Sequence, residues 1–70
     1  MAVPEIDNQL GKARQARGLS AAELAHSAGV SRQTIHAIEA GNYIPNAVIA
    51  LRLARALDTS VEDLFRLAED

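Results

Sequence analysis

Residues 20–41 read Ser20-Ala21-Ala22-Glu23-Leu24-Ala25-His26-Ser27-Ala28-Gly29-Val30-Ser31-Arg32-Gln33-Thr34-Ile35-His36-Ala37-Ile38-Glu39-Ala40-Gly41, and the fold turns on how this stretch is punctuated. Ser20 stands three residues before Glu23, the spacing at which each side chain satisfies a free amide at a helix start. Leu24, Ala25 and Ala28 then supply an apolar face that stops at Gly29, a residue that accepts the positive φ of a helix end. Ser31 offers a second capping oxygen, Ile35 and Ile38 form an i, i+3 apolar pair, and Gly41 closes the segment. Two short helices are thus joined by Gly29-Val30-Ser31 alone. Such a pair must cross steeply rather than lie antiparallel, which is helix-turn-helix geometry. Ala25 is the small residue needed where the helices touch, and Val30, Ile35 and Ile38 are β-branched residues placed to hold the second helix down.

Outward from this pair, Ile6, Leu10, Ala13 and Arg17 recur at helical spacing up to Gly18 and predict a first helix. Residues 42–45 read as a loop, since Pro45 biases Ile44 to extended backbone. Asn46 caps a fourth helix over residues 47–57, with Ala47, Ala50, Leu51, Ala54 and Leu57 on its buried face. Val48 and Ile49 fall off that face beside Arg52, either as scattered surface residues or as a subunit interface. Thr59, Val61 and the tail are a second candidate interface. Ser60 caps a fifth helix over residues 61–68 that buries Leu64, with Phe65 and Leu67 as further candidates. The expected fold class is all-α, a compact five-helix bundle over residues 6–68, between an N-terminal arm at 1–5 and an acidic end at 69–70. There is no internal repeat or low-complexity tract.

Composition agrees with this outline. Seventy residues make one small domain, near the size at which a single core becomes marginal. Fourteen alanines against two aromatics, Tyr43 and Phe65, favour closely packed helices over a sheet. With no cysteine, a disulfide framework and thiolate metal sites are excluded and a reducing cytosol is expected. The most apolar stretch, residues 48–57, is interrupted by Arg52 and Arg55, so no membrane span is expected, and the first five residues lack the pattern of a signal peptide. The expected location is cytoplasmic.

The formal net charge of −2 hides an asymmetry. Residues 11–55 hold six basic side chains (Lys12, Arg14, Arg17, Arg32, Arg52, Arg55) against Glu23 and Glu39, whereas residues 56–70 hold Arg66 against five acidic ones. One face can therefore meet phosphates. Glu62 and Asp63 sit in the first turn of the fifth helix, where the dipole favours negative charge, so they read as helix-starting residues rather than a catalytic pair. His26 and His36 stand ten apart with no third ligand near, which argues against a metal site. Nothing pairs a nucleophile with a base or forms a phosphate-cradling glycine loop. No enzyme and no cofactor is expected.

At this point the chain resembles the Cro/repressor-type helix-turn-helix domains of phage repressors and of the xenobiotic-response-element regulators. The likeness rests on the run 17–25, on Gly29-Val30-Ser31-Arg32-Gln33-Thr34-Ile35, on the run 38–45, and on the runs 53–57 and 60–65, nearly the whole chain. It implies a lambda-repressor-like domain that binds double-stranded DNA with its third helix in the major groove, as a homodimer on a palindromic operator. With Ile35 and Ile38 buried, Arg32, Gln33, His36 and Ala37 project from the other side of that helix. Gln33 suits the N6/N7 edge of adenine and Arg32 the O6/N7 edge of guanine or a phosphate, while Thr34 offers a methyl to thymine or a hydroxyl to phosphate. Phosphate anchoring is expected from helix N-termini, including Ser31, and from Asn42, Tyr43 and Asn46, with Tyr43 alternatively packing on the loop. Many family members begin the second helix with a phosphate-holding glutamine; Ala21 stands there instead. The family also pairs an arginine of the first helix with the glutamate ending the third, which places Arg14 and Glu39 in a structural role with Ala25, Gly29, Ile35 and Ile38.

The leading expectation is therefore a sequence-specific transcriptional repressor. A protein-interaction module or antitoxin on the same fold, and the DNA-binding part of a longer ligand-sensing regulator, are the alternatives.

Overall fold

The computed structural model describes residues 6–68, in the order β1 (Ile6–Asn8), α1 (Leu10–Ala16), α2 (Ala21–Ala28), α3 (Arg32–Glu39), α4 (Ala47–Ala56), α5 (Val61–Leu64) and β2 (Phe65–Leu67). The expected arm at 1–5 and acidic end at 69–70 lie outside the described residues. Four of the five helices start on a side-chain oxygen: Ser20, Ser31, Asn46 and Ser60 each accept the amide of the residue three positions on. At Ser20 the Glu23 carboxylate also accepts the Ser20 amide at 2.7 Å, closing the reciprocal box read from the spacing. Each such cap is worth about 1 kcal/mol, which matters for helices of four to ten residues that would not persist alone.

The five expected helices are present, and two of their limits differ from the sequence reading. Residues 6–8 do not begin the first helix. They pair antiparallel with residues 65–67 in the register Ile6↔Leu67, Asp7↔Arg66, Asn8↔Phe65. The Asn8 carboxamide oxygen accepts the Leu10 amide at 3.0 Å and the Gln9 amide donates to the Leu64 carbonyl at 2.8 Å, so the helix can start only at Leu10. For the same reason the fifth helix is four residues long rather than eight: Phe65 turns to extended backbone, φ −136° and ψ 119°, and joins the ribbon. Leu67, a core candidate, is exposed there, and Phe65 is half-buried against the core.

In α4 the buried face is Ala50, Leu53, Ala54 and, just beyond the helix end, Leu57. Leu51, expected inside, is 62% exposed, and Ala47 is exposed as well. Residues 50, 53, 54 and 57 form an unbroken stripe of helical period, and Leu51 lies about 100° round the helix from Ala50. Ile49, expected off the face, is half-buried against the core, while Val48 is exposed as expected. The helix ends without a glycine, on Asp58 at φ 54°.

The core gathers one or more side chains from every helix: Leu10, Leu24, Ile35, Ile38, Leu53, Leu57 and Leu64 are at most 1% exposed. Burial of a side chain of this size stabilises by about 1.5–3 kcal/mol, and Ala21, Ala25, Ala28 and Ala54 let the helices approach around it.

Candidate nucleic-acid interface

The turn between α2 and α3 is made by Gly29, whose φ of 74° is open to glycine and strained for other residues. The Val30 amide closes the turn onto the Ala25 carbonyl at 3.0 Å, six residues inclusive, which directs the chain straight into α3. Ala25, 3% exposed, sits where α2 meets its neighbours, and half-buried Val30 packs on the core. Gly29 takes the positive φ expected of it and Ala25 is buried, while Val30, expected to be buried, is only partly so.

Three fastenings fix how α3 sits. Ile35 and Ile38 are fully buried. Glu39, at its last position, takes a forked pair of bonds from Arg14, 2.6 Å from Nε and 3.2 Å from Nη2. The third Arg14 nitrogen donates to the Leu19 carbonyl at 2.9 Å, so one guanidinium ties α1, the α1–α2 loop and α3 together. The Glu39 hydrogen bond, reinforced by its charge, holds the Arg14 pKa above its ordinary value despite partial burial. The third fastening carries no sequence signal: the Asn8 carboxamide nitrogen donates to the Ile38 carbonyl, thirty residues away.

Ile35 and Ile38 face the interior, with Glu39 at the edge of that side. Turned away from the interior, Arg32, Gln33 and His36 are exposed. Thr34 and Ala37, expected beside them, are half-buried at the flank. Thr34 is further engaged, because its hydroxyl lies 2.9 Å from that of Ser31, whose oxygen also accepts the Thr34 amide at 3.1 Å. The side-chain oxygen of Ser31 is thus used in capping. What the start of α3 offers an anion is its free amides and the positive end of its dipole.

Asn42, Tyr43 and Asn46 lie in the segment joining α3 to α4 and are exposed. The Asn46 oxygen caps α4 through the Ile49 amide at 2.9 Å, leaving its carboxamide N–H groups pointing away from that bond as donors. Tyr43 is 43% exposed and borders a recess of about 220 Å³ with Ile6, Ile44, Pro45 and Phe65. Ala21, which replaces the family's glutamine, is 8% exposed and serves packing. One cation was not singled out by position: an Arg52 guanidinium nitrogen lies 3.3 Å from where a side chain on Gly29 would begin, placing a positive charge from α4 against the turn and the C-terminal end of α2. Only packing of α4 across the turn creates that neighbourhood. Among the described residues, no three His, Cys, Asp or Glu side chains are grouped to hold a metal ion, and no helix is long and apolar enough to cross a membrane.

With this arrangement in place, comparison with known proteins is decisive: a match to the helix-turn-helix family of Cro/repressor type spans residues 10–64. The chain belongs to that family. The helix-turn-helix chain is 50% identical over 58 residues to an HTH-type transcriptional regulator of Methanothermobacter thermautotrophicus, covering 81% of this chain and 84% of that one. It superposes on the restriction-modification controller protein C.AhdI of Aeromonas hydrophila with a TM-score of 0.77 at 37% identity, over 81% of this chain and 86% of that one. On SinR, a master regulator of biofilm formation solved in complex with DNA, the TM-score is 0.72 at 29% identity, over 77% and 87%. The fold is accordingly lambda-repressor-like, and the family is one of DNA-binding transcriptional regulators rather than enzymes.

Proposed function

We propose that this helix-turn-helix protein is a sequence-specific, cytoplasmic repressor that occupies a palindromic double-stranded operator as a homodimer. In this reading α3 enters the major groove, with Arg32 and Gln33 as first readers and Thr34, His36 and Ala37 beside them. The amides around Ser31, with Asn42, Tyr43 and Asn46, hold phosphates on either side. One observation supports the reading: α3 is pinned by Ile35, Ile38, Glu39 and the Asn8 bond, while Arg32, Gln33 and His36 are exposed. A helix of eight residues is about 12 Å long and reads a single groove. A second copy, its α3 about 34 Å away along the same side of the duplex, supplies the other half-site. The likeness to SinR, solved with DNA, supports the DNA partner.

Selection from randomised duplexes followed by mobility-shift titration tests this. The expected outcome is an inverted repeat bound in preference to its shuffled version, with affinity falling as salt rises by about one logarithmic unit per unit of log salt for each phosphate contacted. Equal affinity for both duplexes, or no salt dependence, sinks the proposal.

A further inference from the structure

The recess beside Tyr43 is walled by Ile6 of β1, Tyr43 and Ile44 of the segment joining α3 to α4, Ala50 of α4, Val61 of α5 and Phe65 of β2. It brings together the chain's single tyrosine and single phenylalanine. Its volume is about 220 Å³; since a cavity of about 150 Å³ holds benzene, it admits roughly nine non-hydrogen atoms, a single or fused ring. Its polar groups are few. Asn8 at its border uses its carboxamide oxygen on the Leu10 amide and one N–H on the Ile38 carbonyl, which leaves the other N–H. The Tyr43 hydroxyl is the second polar group. None of the described residues lining the recess carries a charge, so an ion would enter without a counter-charge. A peptide segment fits no better, because its backbone N–H and C=O groups need more partners than these two. Concave, mostly apolar sites with a few orienting polar groups are where small neutral ligands settle.

We propose that this recess binds a small uncharged aromatic compound, its ring against Tyr43 and Phe65 and its polar edge on the Tyr43 hydroxyl or the remaining Asn8 N–H. The site itself goes beyond DNA recognition. Its regulatory consequence rests on the DNA-binding reading: Tyr43 is also a proposed phosphate contact, so ligand and duplex compete, each lowering the affinity of the other by the same factor.

NMR titration of the whole chain with indole, a neutral ring system of the right size, and with benzoate, a charged one of similar size, tests it. Saturable shifts are expected at Tyr43, Phe65 and the Asn8 carboxamide, with an indole Kd of roughly 1 mM or tighter. Benzoate should bind about tenfold or more weakly. Ile44→Asp should cost a similar factor by charging the wall; Ile44 is 56% exposed, so the fold survives the change. Ala50→Leu, which fills the recess, should give the same loss by a second route, with circular dichroism verifying both folds. Shifts that do not saturate or lie away from the recess, equal binding of benzoate, or unaltered binding by both variants overturn the proposal. So do contacts from the recess, without indole, to residues 1–5 or to a second copy, since either would already occupy it. A mobility-shift titration at saturating indole then tests the consequence, with an expected loss of DNA affinity of about fivefold or more. Indole that fills the recess and leaves DNA affinity unchanged overturns the competition alone. A chain that takes up indole and binds no DNA overturns the DNA-binding reading and leaves the ligand site standing.

Discussion

Replacing Glu39 by leucine while Arg14 remains isolates the cost of stranding one charge inside the α1–α3 junction. The two side chains are 15% and 16% exposed and joined by two hydrogen bonds. Breaking a fully buried pair costs about 3–5 kcal/mol, whereas an exposed pair is worth about 0–1 kcal/mol. This pair lies nearer the buried limit, so Glu39→Leu and Arg14→Met are each expected to cost about 2–3 kcal/mol. For a seventy-residue domain with a total stability of about 3.5–10 kcal/mol, that lowers the melting temperature by on the order of 10–20 °C. The double variant behaves differently, because two apolar side chains of similar volume leave no charge unpaired. Only the Leu19 carbonyl then lacks its donor, a loss of about 1 kcal/mol, so the double variant should be more stable than either single one. Urea and thermal melts followed by circular dichroism complete the cycle. Single variants within about 0.5 kcal/mol of the parent, or a double variant less stable than both, would refute the argument that this pair positions α3 at little net gain in stability.

Three further outcomes follow from the same structure. Gly29→Val should cost more than the roughly 1–2 kcal/mol of an ordinary side chain at positive φ, because a β-branched residue is worst suited to it; an unchanged melt would mean the turn does not depend on the φ of 74°. Gln33→Ala should leave the melt unchanged and relax preference at one base pair by about 1–3 kcal/mol in competitive selection; retained preference at every position removes Gln33 as a reader. The Thr59 hydroxyl first, then that of Ser60, with Arg66 adding attraction, holds the Asp63 carboxyl below the ordinary aspartate range. A depressed folded-state value means its stabilisation is present above that range and disappears as pH falls through the folded value. Asp63→Asn should therefore lower stability near neutrality and flatten the acid limb of the stability profile below about pH 4. Parallel profiles for parent and variant would contradict this.

The parts of the fold legible in sequence are those decided within a few residues. The start and stop of α2 and α3 each depend on a capping oxygen three positions from its amide, or on a glycine in the turn. Ser20, Gly29 and Ser31 therefore announce their roles without tertiary context. The ribbon depends on pairing between residues some sixty positions apart, in strands of only three residues. Ile6 lies four residues before Leu10, so a strand residue and a helix residue that both turn inward imitate one helical face. α4 misled for a related reason: alanines at 47, 50 and 54 support two overlapping stripes, and only docking against α2 chooses the one containing Leu53. Its end gave no warning either, since an aspartate rather than a glycine takes the left-handed position.

The candidate site divides along the same line. Its composition is local: once Ile35 and Ile38 are assigned to the interior, helical periodicity turns Arg32, Gln33, His36 and Ala37 away from it, and the structure exposes the first three while Ala37 is half-buried. Its placement is not local. Arg14 to Glu39 spans twenty-five residues and Asn8 to Ile38 spans thirty, and of these only the first was signalled, through resemblance. The distinction matters for interpreting substitutions. On the proposed reading, changes at Arg32, Gln33 or His36 should alter which bases are preferred while the domain stays folded. Changes at Asn8, Arg14 or Glu39 disturb the angle and anchorage of α3, so they should weaken binding to selected and shuffled duplexes together and lower the melt as well. A specificity change without loss of stability from any of these three positions would require α3 to be held by Ile35 and Ile38 alone, and the polar fastenings at its C-terminal end would then have no part in aiming it.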